Sequence, residues 1–375
     1  MNEKKKSKTR MPEWAPSNAD MTYASRIVEG NKTQKNISSS SAKRGETSRK
    51  YDLDILVDGV LSCNRTTLSK AITLIESNSI RHIQHAQELI KRLIPYSGKS
   101  IRIGITGVPG AGKSTFIEAF GCSAIDQGHR VAVLAIDPSS TISKGSILGD
   151  KTRMEKLSRS QDSFIRPSPS SGILGGVARK TMETIIACEA AGYDVILIET
   201  VGVGQSEVTV RSLVDFFLLL QITGAGDELQ GIKKGIIELA DMIAINKADG
   251  DNLTKAELFK SELTRVLHFL QPVSEGWTPP VVTCSALHGT NIDHIWQIIT
   301  DFRTHTNATG LFQKRRTAQK LEWFDSMLRD SIYNQFFNNE MFSQAYKQSR
   351  SAILDGTQTP AAAVTYLLEL IKPTI

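Results

Sequence analysis

Cysteine is scarce: the 375 residues hold four, Cys63, Cys122, Cys188 and Cys284, far apart and with no Cys-x-x-Cys pair. That spacing excludes a disulfide-built scaffold and fits a reducing cytosol. Long apolar runs are also missing. The longest, Phe216 to Leu220 with its neighbours, is strand-sized, well short of the roughly 18 residues that cross a bilayer. The N-terminal Met-Asn-Glu-Lys-Lys-Lys-Ser-Lys has no apolar core behind it and does not read as a secretory signal. Five acids and the lack of a clear amphipathic helix argue against a transit peptide. A basic folded face is absent too. Residues 1–50 carry 12 basic and 5 acidic side chains, a net +7, which leaves 33 against 34, or −1, for residues 51–375. The basic excess lies in one arm, so nucleic-acid binding is not expected.

What is present is the balance of a globular chain: 40% apolar, 22% charged and 6% aromatic residues. Residues 1–49, with Ser38 to Ser41 in a row and few large aliphatics, bury too little surface to order and are expected to form a disordered arm. Over 50–98 apolar residues recur at helical spacing (Ile83, Ala86, Leu89, Ile90, Leu93) until Pro95 stops the pattern. From 99 to 308 short apolar runs alternate with helical patterns: Ile101–Thr106, Val131–Ile136, Val195–Ile198, Phe216–Ile222, Met242–Ile245 and Val281–Thr283. This predicts a doubly wound α/β domain on a mainly parallel sheet. Residues 309–375 return to helix. Leu321, Phe324, Leu328, Ile332 and Phe336, widened by Trp323 and Met327, form an apolar stripe that suits either packing on the chain's own sheet or a subunit interface. Gly356 can end one helix, and Thr359 with Pro360 can open another through Ile371.

The sharpest motif is Gly107-Val108-Pro109-Gly110-Ala111-Gly112-Lys113-Ser114, followed by Thr115, placed between a strand and a helix carrying Phe116, Ile117 and Phe120. Its glycines let backbone N–H groups turn toward phosphate oxygens, and the helix N-terminus adds its positive end. Lys113 can reach the outer phosphates and Ser114 can ligate Mg²⁺. Val108 stands where the dimeric ATPase branch of phosphate-loop proteins carries an extra lysine, which weakens the reading as an ATP-driven positioning protein. Asn246-Lys247-Ala248-Asp249 follows a later strand. A carboxylate there accepts hydrogen bonds from the N1–H and 2-amino group of guanine, which adenine lacks, so GTP and GDP are the expected ligands. Ser285-Ala286-Leu287 could contact the guanine oxygen.

Ile198-Glu199-Thr200-Val201-Gly202 occupies the place of an Asp-x-x-Gly segment, with Glu199 near Mg²⁺ and Gly202 sensing the γ-phosphate. The next residue is Val203 rather than a water-orienting glutamine, so intrinsic turnover should be slow; Gln205 is either a substitute or a loop polar residue. Asp137, in Asp-Pro-Ser-Ser140, and Asp150, in Gly149-Asp-Lys151, either hold Mg²⁺ or cap turns.

Together, Asp137-Pro-Ser-Ser-Thr141, Gly145 to Met154, Arg166-Pro-Ser-Pro-Ser-Ser-Gly172, Glu199 to Ser206 and Gly224 to Lys234 resemble the MeaB/ArgK group of GTPases over about residues 55–300. The resemblance implies a G domain of the SIMIBI type that hydrolyses GTP with Mg²⁺. It also implies a homodimer built through the C-terminal helices, and service as chaperone to adenosylcobalamin-dependent methylmalonyl-CoA mutase. On that pattern Lys113, Asp137, Asp150 and Glu199 belong to the nucleotide and metal centre. Gln230 and Lys233, in a switch over 224–234, reach it when the mutase is bound. Rival readings are a P-loop kinase, for which no separate acceptor pocket is visible, and a nickel metallochaperone GTPase. The latter needs His/Cys clusters; residues 1–62 contain neither type, and His82 and His85 read as exposed helical positions.

Overall fold

In the computed structural model, the described residues are 52–77, 79–137, 154–169, 174–200, 206–224, 234–270 and 272–370. They lie within the unit Tyr51–Ile375. Seven strands, β1 (Ile101–Gly107), β2 (Val131–Asp137), β3 (Ser163–Pro169), β4 (Val195–Thr200), β5 (Phe216–Gln221), β6 (Met242–Ile245) and β7 (Val281–Thr283), form one sheet in the order β3-β2-β4-β1-β5-β6-β7. Every pairing is parallel, so the sheet is wholly rather than mainly parallel. Six of these strands match the contiguous apolar runs; the seventh, β3, does not. Its sequence Ser-Phe-Ile-Arg-Pro-Ser-Pro looks like a loop. Pro167 and Pro169 are tolerated because β3 is an edge strand, where a missing N–H costs no ladder bond on the open side.

The helices are α1 (Leu53–Leu61), α2 (Arg65–Glu76), α3 (Ile80–Leu93), α4 (Lys113–Asp126), α5 (Glu155–Arg159), α6 (Leu174–Ala190), α7 (Ser206–Arg211) and α8 (Lys234–Leu239). They continue with α9 (Leu253–Leu267), α10 (Ile292–Ala308), α11 (Leu311–Phe337), α12 (Glu340–Leu354) and α13 (Pro360–Glu369). Strand side chains alternate between two cores. Ile196, Ile198, Phe217, Leu219 and Ile243 pack against α1, α2, α3 and α6 on one face. Ile101, Ile103, Ile105, Leu197, Phe216 and Leu218 pack against α4 and α10 on the other. Both faces are covered, which is why these strands read as unbroken apolar runs.

The amino-terminal foot of the sheet is held by buried charge. Arg102 at the start of β1 pairs with Glu189 on α6 at 2.9 Å. Arg316 on α11 grips both oxygens of Asp215, at 2.5 and 2.6 Å, and donates to the Ser100 carbonyl at 2.9 Å. Gln319 adds a bond of 2.7 Å to the Val214 carbonyl. The first turns of α11 are thereby fixed to the sheet.

Beyond that anchor α11 turns its stripe outward: Leu321 and Phe324 are 61% and 60% exposed, Leu328 49% and Ile332 46%. Packing of this stripe on the chain's own sheet is therefore ruled out for these four residues, while Trp323 alone reaches the core. Thr359 caps α13 by accepting from the Ala362 N–H at 3.3 Å, with Pro360 at its first position; the helix closes at Glu369, short of the expected Ile371. His82 and His85 are half-buried rather than exposed, because Ser77 Oγ pairs with His82 Nδ1 at 2.7 Å and the Arg81 carbonyl with His85 Nδ1 at 3.1 Å. The proposed arm 1–49 lies outside the described residues.

Candidate functional site

In a doubly wound sheet, ligands gather at the carboxyl ends of the strands near the point where strand order reverses. Here β1 is that central strand, flanked by β4 and β5, and the glycine-rich loop leaves its carboxyl end. Two glycines are sterically required. A Cβ on Gly107 would stand 2.2 Å from the Leu220 carbonyl oxygen of β5, and one on Gly112 would stand 2.8 Å from Asn246 Nδ2. Gly112 is also left-handed, at φ 84, where it turns the chain into α4. Lys113 opens that helix, and its ammonium donates to the carbonyls of Gly107 and Val108 at 2.9 and 3.3 Å. The cation thus lies over the loop, where a polyphosphate would need charge compensation.

Beside it, the Ser114 hydroxyl donates to Glu199 Oε1 at 3.1 Å. Glu199 lies near the end of β4 and is buried; the next residue, Thr200, donates through its hydroxyl to Thr106 Oγ1 at 2.9 Å, fixing β4 to β1 at this level. A hydroxyl and a carboxylate oxygen, both hard donors, suit Mg²⁺. Asp137 ends β2 opposite Pro169. Its side chain, and Asp150, Gly202, Val203, Gln205, Gln230 and Lys233, lie outside the described residues.

The Asn246-Lys247-Ala248-Asp249 segment leaves β6. Asn246 is buried and bridges distant segments: its amide nitrogen donates to the Ala111 carbonyl of the glycine loop at 2.8 Å, and its oxygen accepts from the Ala286 N–H at 3.0 Å and from the Cys284 thiol at 3.8 Å. One side chain therefore locks three loops into register. Asp249 accepts from the Ser285 hydroxyl. Lys247 is exposed and left-handed, at φ 60, and its carbonyl is held by Asn252 Nδ2 at 2.7 Å; Asn252 in turn accepts from Thr223 at 2.6 Å. Asn252 escaped the sequence reading because an Asn opening a helix looks like any cap. The Ser285-Ala286-Leu287 turn closes by reciprocal backbone bonds between Ser285 and Thr290, at 3.2 and 3.0 Å. This leaves Leu287 77% exposed. An open cleft of about 920 Å³ runs from Thr115, Ala286 and Leu287 between α4 and α10. Among the described residues no helix is long and apolar enough to cross a membrane.

Comparison with known proteins agrees with this geometry. The family model described as methylmalonyl Co-A mutase-associated GTPase MeaB matches residues 68–341. The Escherichia coli GTPase ArgK is 48% identical over 308 residues, 82% of this chain and 93% of that protein. The mouse methylmalonic aciduria type A homolog, mitochondrial, is 43% identical over 330 residues, covering 85% of this chain and 80% of its own. A crystal structure titled LAO/AO transport system kinase superposes with a TM-score of 0.68 at 41% identity, covering 85% of this chain and 97% of that one. Matches of that breadth, on a sheet whose carboxyl ends carry the phosphate loop and the Asn-Lys-Ala-Asp loop side by side, make the chain a member of the MeaB family of P-loop GTPases.

Proposed function

We propose that the protein binds GTP with Mg²⁺ at the carboxyl end of β1, hydrolyses it slowly alone and faster with a partner, and serves as G-protein chaperone to an adenosylcobalamin-dependent methylmalonyl-CoA mutase. The observation that carries the nucleotide reading is Asn246, which joins the phosphate loop to the two loops suited to a guanine base. In this reading Asp249 accepts the N1–H and 2-amino donors of guanine, and the Ala286 and Leu287 backbone meets its oxygen. Lys247 and the exposed Leu287 side chain cover the faces of the ring. The backbone of residues 107–112 with Thr115 cradles the α- and β-phosphates, and Lys113 compensates the outer charge.

Ser114 and Glu199, with Asp137 and Asp150, would hold the magnesium, which would supply charge neutralisation to the phosphates. Gly202 would sense the γ-phosphate. Val203 cannot orient a water, so completion of the site falls to Gln230 and Lys233 when the mutase docks. Support for that client comes from the family to which the chain belongs, the methylmalonyl Co-A mutase-associated GTPases. The cycle would gate cofactor loading and protect or reactivate the mutase. Division of the chain into an arm (1–49), a helical lead-in (50–98), a GTPase domain (99–308) and a dimerisation segment (309–375) belongs to the same reading. So does a homodimer that covers the exposed stripe of α11, in the cytoplasm or, in a eukaryote, the mitochondrial matrix.

The deciding experiment measures GTP turnover with and without a cobalamin-dependent acyl-CoA mutase, with ATP and Lys113→Ala as controls. A slow rate that rises about tenfold or more with the mutase, and vanishes in Lys113→Ala, is the expected result. An unresponsive rate removes the mutase as client, and phosphate transfer from ATP to a small acceptor would establish a kinase instead. Sedimentation checks the dimer: Leu328→Glu should give monomers, and an unchanged species would place the interface elsewhere.

A further inference from the structure

Asn252 opens α9, where an asparagine ordinarily caps the helix by accepting from its first N–H groups. It does not do so here: its side chain makes no capping bond. Both ends of the amide turn back toward the loops at the carboxyl end of the sheet. Nδ2 donates to the Lys247 carbonyl at 2.7 Å, and Oδ1 accepts from the Thr223 hydroxyl at 2.6 Å. The partners fix which way the amide points, because a backbone carbonyl can only accept and must therefore face the NH₂ group.

The Lys247 carbonyl is where such a bond matters most. Lys247 is left-handed at φ 60, a conformation that long side chains rarely take and that persists only where its surroundings impose it. The peptide joining Lys247 to Ala248 is gripped on both sides, its carbonyl by Asn252 and its N–H by the Cys284 carbonyl at 3.0 Å. The Asn252 N–H also donates to the Asp249 carbonyl at 3.0 Å, closing the loop over Gly250. Thr223 follows β5, Lys247 follows β6 and Cys284 follows β7. One peptide plane is thus fixed from the ends of three neighbouring strands. The direction of the Lys247 side chain, and the place of Asp249 two residues on, follow from that plane.

The two asparagines of this region act on different parts of the site. Asn246 reaches the Ala111 carbonyl of the glycine loop, so its loss would disturb the phosphate and base ends together. Among the described residues the Asn252 side chain bonds only Lys247 and Thr223, and neither bond touches the glycine loop.

We infer that Asn252 is a positioning residue of the guanine site: it holds Lys247 in its left-handed turn, so that Lys247 lies along the base and Asp249 meets the N1–H and 2-amino group, while Thr223 orients the amide. The inference rests on the guanine reading of Lys247 and Asp249 proposed above. Asn252 makes no bond to the nucleotide itself. It therefore acts on recognition of the base and leaves the grip on phosphate alone.

The test uses the full chain with Mg²⁺ and follows displacement of a fluorescent GDP by GDP, by ADP and by inorganic tripolyphosphate, which carries phosphate charge but no base. Wild type should prefer GDP to ADP. Asn252→Ala should weaken GDP about tenfold, the worth of a hydrogen bond together with the strain it offsets, and change tripolyphosphate affinity less than about twofold. Thr223→Val keeps the shape but removes the hydroxyl, and should weaken GDP about threefold with the same selectivity for the base. Thr223→Ser keeps the hydroxyl and should bind as wild type does. The Thr223 variants decide the matter even where Asn252→Ala does not fold. Equal weakening of GDP and tripolyphosphate would make Asn252 a general support of the loops and overturn the positioning role. Wild-type GDP affinity in both Asn252→Ala and Thr223→Val would overturn it too. A wild type that holds ADP as well as GDP would instead remove the guanine reading itself, and this inference with it, whatever the variants do.

Discussion

The two ends of the sheet use polar side chains in opposite ways. At the carboxyl end they hold loops: Asn246 ties the glycine loop to the Ala286 turn, Asn252 ties Lys247, and Thr200 ties β4 to β1. At the foot, charged groups hold one another: Arg102, Glu189, Asp215 and Arg316 are all nearly fully buried and pair among themselves. A lattice of buried charges that is already neutral has no need of a ligand, whereas loops fixed around a lysine and a carboxylate form a place for one. Function and anchorage are thereby separated by the length of the strands.

Substitutions at each end should break this contrast in opposite directions. Arg316→Met leaves Asp215 without its guanidinium partner in the interior, while Glu189 keeps Arg102, and should cost about 3–5 kcal/mol of stability, read by denaturant unfolding. The remaining folded molecules should bind guanine nucleotide as before; a loss of less than about 1 kcal/mol would show that water replaces the arginine. Asp249→Asn should do the reverse. Stability should change by no more than about 0.5 kcal/mol. The preference for GTP over ATP should fall about tenfold to a hundredfold, the value of hydrogen bonds to a charged acceptor, measured by competition binding. Unchanged selectivity would remove Asp249 from the base site.

The smallest effect is one of pH. Burial works against ionised Glu189, but Arg102, then Arg316, and the Ser100 hydroxyl outweigh it and hold the carboxyl below the usual glutamate range. The folded state therefore binds fewer protons there than the unfolded chain. Its stabilisation is complete above the ordinary glutamate range and is lost as pH falls through that range toward the depressed value. Thermal unfolding of wild type should weaken with acid more steeply than that of Glu189→Gln, which is less stable at neutral pH but flatter. Parallel curves would assign the acid sensitivity to other carboxylates.

Much of this was legible along the chain. Six strands stood out because both faces of the sheet are covered, and the phosphate loop because its chemistry is local, eight consecutive residues between a strand and a helix. The edge strand β3 was hidden by its prolines, since nothing in a single sequence says which strand has an open side. The α11 stripe left two readings open; exposure of Leu321, Phe324, Leu328 and Ile332 closed one of them.

By itself, then, the sequence determined where phosphate chemistry could sit and which runs become strands, because hydrogen-bonding backbone, glycine freedom and apolar periodicity act over a few residues. Only the tertiary structure decided that Asn246 bridges to Ala111, 135 residues away, and that Arg316 reaches Ser100 across 216. Such pairings have no period and no motif; they exist because strand order brings distant segments within reach, and a buried polar group must then find its partner there.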